Sequence, residues 1–198
     1  ASGGISLEVN RFANAAGNLP INIRTAGALS LMPFSSQSFA EAITFPASGS
    51  TTSVGSLIVG SASNAQQVTA AGTVTSSGDV TYRAGAFVNS ASVTSSNGNV
   101  LLQADNVDLS TTADVNIAAL KGSVTIAPRS DNRVIDLGTE VTGRLSLTSA
   151  EVNRVSAVTL RIGALNGTNT GDINITDALN PALTPTLALR TGSPGSVS

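Results

Sequence analysis

One five-residue phrase paces this chain and narrows the fold before any side chain is given a task. It reads Gly, any residue, apolar, small or polar, apolar, as in Gly122-Ser-Val-Thr-Ile126. Full copies start at Gly3, Gly27, Gly55, Gly78, Gly98, Gly122, Gly143 and Gly171, and a further one opens at Gly195. The intervals are 24, 28, 23, 20, 24, 21, 28 and 24 residues. A recurrence at roughly 20–30 residues marks a repeat architecture, in which each unit buries its apolar face only by stacking on its neighbours.

Strand side chains alternate, so the two apolar positions of each phrase share one face. These pairs are Ile5/Leu7, Leu29/Leu31, Leu57/Val59, Val80/Tyr82, Val100/Leu102, Val124/Ile126, Leu145/Leu147 and Ile173/Ile175. The residues between them are mostly Ser, Thr, Asp or Asn, with Ile58 and Leu101 as exceptions. Second strands are expected at 21–24, 42–45, 73–75, 92–94, 115–117, 134–137, 159–162 and 186–189, and a third at Val107-Asp-Leu109. Asn97-Gly98 and Asn166-Gly167 are turn pairs able to take positive φ. The phrase returns in one orientation and two-residue hairpin turns are scarce, so the spacing predicts parallel stacking rather than a meander. The expected fold is all-β: a parallel β-helix, or β-solenoid, of about eight coils with roughly 20–28 residues per coil, forming one domain over residues 1-198.

Three stretches interrupt the rhythm. A corner-loop insertion near 33-50 carries Phe34, Phe39 and Phe45. It reads either as local packing onto a coil or as an exposed apolar patch for a partner. Thr148 and Glu151 have capping-box spacing, which predicts about one helical turn that carries the chain round a corner. Two prolines, Pro181 and Pro185, mark a loop.

Composition removes several function classes. Charged residues are 11% of the chain, Lys121 is the one lysine, and the net charge is −2, so no basic stripe exists to neutralise nucleic-acid phosphates. No apolar run approaches the length of a membrane span. There is no His and no Cys, which removes the usual zinc, haem and iron–sulfur ligands and a conventional hydrolytic triad. The lack of Cys suits a secreted protein held unfolded for export, and equally many cytosolic ones. The chain opens directly on a repeat with no signal peptide.

Parallel β-helices also serve as polysaccharide lyases and hydrolases, so the carboxylates are candidate acid–base or calcium-binding groups. Asp105 and Asp108 are the nearest acidic pair within a coil, and with Asn106 they form the best candidate for an incidental calcium ion. Asp79, Arg144 and Asp172 share the position after a pacing glycine, but lie in different coils. No tight pair follows from the spacing, and these groups read as solvated face and turn charges. No residue is assigned a catalytic, cofactor-binding or metal role. Thr73 and Thr75 are too isolated for an ice-binding ladder.

The runs Arg133-Val-Ile-Asp-Leu-Gly-Thr139, Gly143-Arg-Leu-Ser-Leu-Thr-Ser-Ala-Glu-Val-Asn-Arg-Val155, Thr159-Leu-Arg-Ile-Gly163, Gly171-Asp-Ile-Asn-Ile175 and Leu187-Ala-Leu-Arg-Thr-Gly192 together resemble a block of very large bacterial surface exoproteins of the filamentous-haemagglutinin type. The resemblance covers roughly residues 76–192 and marks a structural repeat rather than an active site. It implies a right-handed parallel β-helix, secretion across a Gram-negative envelope, and an adhesin or surface-fibre role.

The chain starts and stops at the same phase of the repeat, with no amphipathic cap in the sequence. Two arrangements fit: an excerpt of a longer shaft, or copies that stack end to end. The expected function is a non-catalytic structural segment of an extracellular bacterial fibre or adhesin shaft. Its expected partners are adjoining coils of a longer chain or copies of itself, end to end, and surface glycans or host or cell-surface partners, with no nucleic acid and no membrane span. The alternative is a carbohydrate-active β-helix enzyme or a receptor- or glycan-binding passenger domain.

Overall fold

The computed structural model describes residues 3–12, 20–109, 116–165, 170–192 and 195–198. Among them every strand pairing is parallel. Fourteen strands form one sheet curled around an aliphatic core, in a solenoid-like arrangement, and three more form a second sheet.

Three ladders run along the large sheet. The first aligns Ile5, Leu29, Leu57, Val80, Val100, Val124, Leu160 and Leu187 in one column. Beside it, two residues on, run Leu7, Leu31, Val59, Tyr82, Leu102, Ile126, Ile162 and Leu189. The second ladder aligns Ile43, Val68, Phe87 and Val107. The third aligns Ile23, Thr52, Val74, Val93, Ile117 and Val155. Successive laps visit the ladders in one order: Ala28–Met32, Ile43–Thr44, Thr51–Val54, then Ser56–Val59, Gln67–Ala70, Thr73–Ser76. Further along, single strands bend through a corner and serve two ladders, as Val80–Asn89 and Val100–Asp108 do for the first and second. Ile117–Ala127 and Val155–Gly163 do the same for the third and first.

Of the inward pairs read from the phrase, those from Leu29/Leu31 to Leu145/Leu147 are fully buried, while Ile5 and Ile175, near the ends of their stacks, are 37% and 46% exposed. Water is excluded where a lap lies on both sides, which is what stacking alone can provide.

The stack departs from the expected one at its sixth strand. The Gly122 phrase pairs not with the Gly143 phrase but with Thr159-Leu-Arg-Ile162, and that strand pairs in turn with Thr186–Arg190. The Gly143 and Gly171 phrases instead flank Arg133–Gly138 in the second sheet, where Ile135 aligns with Leu145 on one side and Ile173 on the other. Pro128, following the strand Ile117–Ala127, has no N–H to continue a ladder. Asn132, at φ 58°, then turns the chain, and Arg133–Gly138 opens a new sheet. Gly195 does resume the phrase: Val197 bridges to Ile173.

The pacing glycines are explained by close approach. A Cβ on Gly27 would lie 2.5 Å from the Gly3 carbonyl oxygen, and one on Gly78 would lie 2.7 Å from that of Gly55. Gly143, outside this column, meets nothing within 4 Å and is needed instead for its φ of +82°. Gly98 takes no positive φ, so the Asn97-Gly98 pair is not the positive-φ turn expected of it. The pair Asn166-Gly167 and Val115 of an expected second strand lie outside the described residues.

Three corners into this glycine column are closed by a hydroxyl. Thr25 Oγ1 donates to the Gly3 carbonyl at 2.8 Å and accepts from Gly27 N–H at 3.1 Å. Ser76 makes the same two bonds to Gly55 and Gly78, both at 3.2 Å. Ser95 makes them to Gly78 and Gly98, at 2.8 and 3.0 Å.

In the insertion Phe39 and Phe45 are buried, Phe12 meets Phe45 edge-on at 5.3 Å, and Phe34 alone of the three insertion phenylalanines is strongly exposed, at 59%. Local packing therefore accounts for most of this segment. Asn64, from the next lap, pins it by accepting from Phe39 N–H and Ser38 Oγ. The helical turn is present at Ser149–Val152, with both bonds of the Thr148/Glu151 capping box formed. Residues 180–185 form a loop, as the two prolines require.

Candidate functional site

The acidic residues decide whether this surface holds chemistry, and the bent strand Val100–Asp108 sends its two aspartates to different places. Asp105 faces the turn that ends the phrase stack. Its carboxylate accepts from the backbone N–H of Arg129 at 3.0 Å and of Ser130 at 2.7 Å, and from Ser130 Oγ at 2.6 Å. Arg129 forms an ion pair with it at 3.2 Å, and the Arg133 guanidinium donates to its carbonyl. The group nominated for calcium is thus committed to holding the turn at 129–133, and Asn106 and Asp108 do not join it.

Asp79 lies on the outward face and accepts from Asn99 N–H at 2.8 Å, while Asn99 Oδ1 accepts from Ser123 N–H at 2.9 Å. Asp172 repeats the arrangement in the second sheet, accepting from Ser196 N–H and Oγ at 2.8 Å each. Those bonds, backbone first, hold its pKa below the ordinary carboxylate value. Arg144 spans both Asp136 oxygens at 3.0 Å, and Asn174 Nδ2 donates to the same carboxylate at 3.1 Å. Asp136 is 1% exposed, so Arg144 neutralises a carboxylate buried on the second sheet.

Three further acidic side chains converge in a way the spacing did not disclose. Asp108 from the strand, Glu140 from the loop after Arg133–Gly138, and Glu151 from the helical turn line one groove with Asn106 and Thr148. Glu151 is buried and fully engaged: one oxygen accepts from Leu109 N–H, the other from Thr148 N–H and Oγ1, each at 2.9 Å. Desolvation, then a hydrogen bond to the Glu151 carboxylate and the charges of Glu151 and Asp108, push the Glu140 pKa up to about 7. Glu140 therefore holds its proton up to near neutrality. Only the capping-box half of this arrangement was readable, because Glu140 lies 32 residues from Asp108 along the chain.

Among the described residues no group of three or more His, Cys, Asp or Glu is arranged to hold a metal ion. Among the described residues no helix is long and apolar enough to cross a membrane. A shallow groove of ≈550 Å³ follows the corner past Arg24, Ser53, Thr75 and Ser96, lined chiefly by hydroxyls. No family model, curated protein or solved structure matches this chain.

Proposed function

We propose that this chain is a non-catalytic structural segment of an extracellular bacterial fibre or adhesin shaft, wound as a right-handed parallel β-helix of about eight coils. The observation that carries the reading is the column from Ile5 to Leu187, eight aligned apolar residues with mostly small or polar neighbours facing outward. A stack of this kind resists bending and gives proteases few accessible segments, because each strand is hydrogen-bonded along its sides. Employment of Asp79, Asp105, Asp136 and Asp172 as backbone and turn clamps supports a mechanical rather than a chemical role. In this reading the protein is secreted, lies at the cell surface, and meets adjoining coils or copies of itself end to end and glycans along its faces.

Electron microscopy of the purified chain, together with limited proteolysis, tests this. Short stiff rods that survive protease are the expected result; flexible or rapidly digested particles would overturn it. A carbohydrate-active role is the second reading, favoured by the Asp108/Glu140/Glu151 groove. Saccharide release from acidic or neutral polysaccharides, with or without calcium, and its loss in Glu140→Gln would establish that reading instead.

A further inference from the structure

The two sheets meet at a seam that no strand pairing closes among the described residues. From Ala104 onward the strand Val100–Asp108 pairs only with Val80–Asn89, and Leu145–Thr148 pairs only with Arg133–Gly138. The two strands nevertheless lie side by side. Side chains span the gap in place of a ladder. One Glu151 oxygen accepts from Leu109 N–H and the other from Thr148 N–H, at 2.9 Å each, so a single carboxylate holds the ends of both strands. Arg154 donates to the Leu109 carbonyl, and Arg133 to that of Asp105.

Glu140 puts this bridge under the control of a proton. It sits in the loop 139–144, which is tied down on either side of it. Thr139 N–H donates to Thr176 Oγ1 at 3.1 Å, Val141 N–H donates to Ser146 Oγ at 3.0 Å, and Arg144 clasps Asp136. Between these ties the Glu140 side chain meets Glu151 in a hydrogen bond across a groove of ≈280 Å³. Two carboxyl groups can make such a bond only while one of them carries a proton. The charged groups facing Glu140 are acidic: Asp108 from the strand and Glu151 from the helical turn, with neutral Asn106 and Thr148 beside them. Arg154 is engaged by the Leu109 carbonyl and Arg144 by Asp136, while Asp177, packed beside Gly138, adds a further acid. Among the described residues no cation lines the groove.

We propose that this seam is a pH-operated joint: with Glu140 protonated the loop 139–144 is latched to the helical turn and the sheets are closed on each other, and with Glu140 ionised the seam parts between Val100–Asp108 and Leu145–Thr148 while the ladders within each sheet stay formed. Ionisation puts three carboxylates against one another in a poorly hydrated groove, and parting lets water reach them. The closed form binds the proton more tightly than the open one, so rising pH favours opening. The joint concerns how the two sheets meet and does not depend on the shaft reading.

Residue-resolved amide hydrogen exchange of the 198-residue chain, corrected for the intrinsic pH dependence of exchange, tests it. Leu109 and Thr148 are the reporters, because both amides end on Glu151. Leu57 and Val80, bonded to the Asp79 and Asn99 carbonyls, report global unfolding. Leu109 and Thr148 should open more readily than Leu57 and Val80 and respond little to low urea, as a local event does. Their opening should rise with pH from 4.5 to about 7 and then level off. About tenfold per pH unit is the ceiling, which solvent access to the groove lowers. Glu140→Gln, which cannot ionise, should hold opening at its low-pH value throughout. Asp108→Asn, with one charge fewer in the groove, should bring the levelling-off to lower pH. Opening at Leu109 and Thr148 that matches Leu57 and Val80 in size and urea dependence overturns the joint. So does a local opening whose pH dependence survives Glu140→Gln.

Discussion

Val124 lies in register beside Leu160, 36 residues later, and not beside Leu145, which opens the next copy of the same phrase. The large sheet keeps its column by exchanging one stretch of sequence for another. Double-mutant cycles follow directly. Val124→Ala and Leu160→Ala should couple by about 0.5–3 kcal/mol, as contacting core residues do, whereas Val124→Ala and Leu145→Ala should add to within about 0.5 kcal/mol. Urea denaturation of the single and double variants measures both. Val124→Asp should cost several kcal/mol, on the order of 4, because it buries a charge between laps. An unchanged midpoint would contradict the inward assignment.

The two kinds of pacing glycine should respond differently to a methyl group. Gly78→Ala pushes a Cβ toward the Gly55 carbonyl and should destabilise by about 2–3 kcal/mol through backbone displacement. Gly143→Ala meets no atom, but its φ of +82° makes a side chain costly, by about 1–2 kcal/mol. Asn at 143 should recover part of that loss and Asn at 78 none, as read from thermal midpoints.

How much of this was legible follows from which signals are local. The inward pairs were readable because each is a two-residue alternation of large apolar residues, and those from Leu29/Leu31 to Leu145/Leu147 are buried. The exchange at Val124 was not, because a leading glycine marks the phrase and not the ladder it joins. Thr159-Leu-Arg-Ile162 and Thr186-Leu-Ala-Leu189 carry the same apolar pair without a leading glycine, and they take the place. The corner hydroxyls Thr25, Ser76 and Ser95 stand two or three residues before a pacing glycine, a signal present in the sequence. Asp105 and Asp108 looked like neighbours because they are close in sequence, but a bent strand separates their surroundings. Glu140 joined Asp108 only through the second sheet, which the glycine spacing had not disclosed.

Tyr82 places its hydroxyl in the core with no hydrogen-bond partner, and burial raises its pKa above the usual value. Its ring contributes packing, including a contact with Phe87 at 4.8 Å. Tyr82→Phe keeps the ring and removes the unsatisfied group, so stability should rise by about 1 kcal/mol. Thr52→Val, at another buried hydroxyl without a partner, should act in the same direction. A fall in stability in both variants would show that these hydroxyls are satisfied in solution.

Glu140 predicts the pH response. Its folded-state pKa is raised from 4.5 to about 7, so between those values the native state holds a proton that the unfolded chain has released. Stability should therefore fall as pH rises from about 4.5 to about 7 and change little from this group beyond. Glu140→Gln should flatten that slope and be the more stable form at pH 8. Unfolding midpoints across the range, in the native chain and the variant, provide the comparison. A native profile that rises through the same interval would contradict the raised Glu140 pKa.

The corner bonds have a direction. Thr25, Ser76 and Ser95 donate to carbonyls of the lap before their own, and Asp79, Asn99 and Asp172 accept amides from the lap after. In each case the earlier lap holds the acceptor and the later one brings the donor. A polypeptide emerging N-terminus first thus meets a finished template at every circuit, and can wind progressively without waiting for its far end.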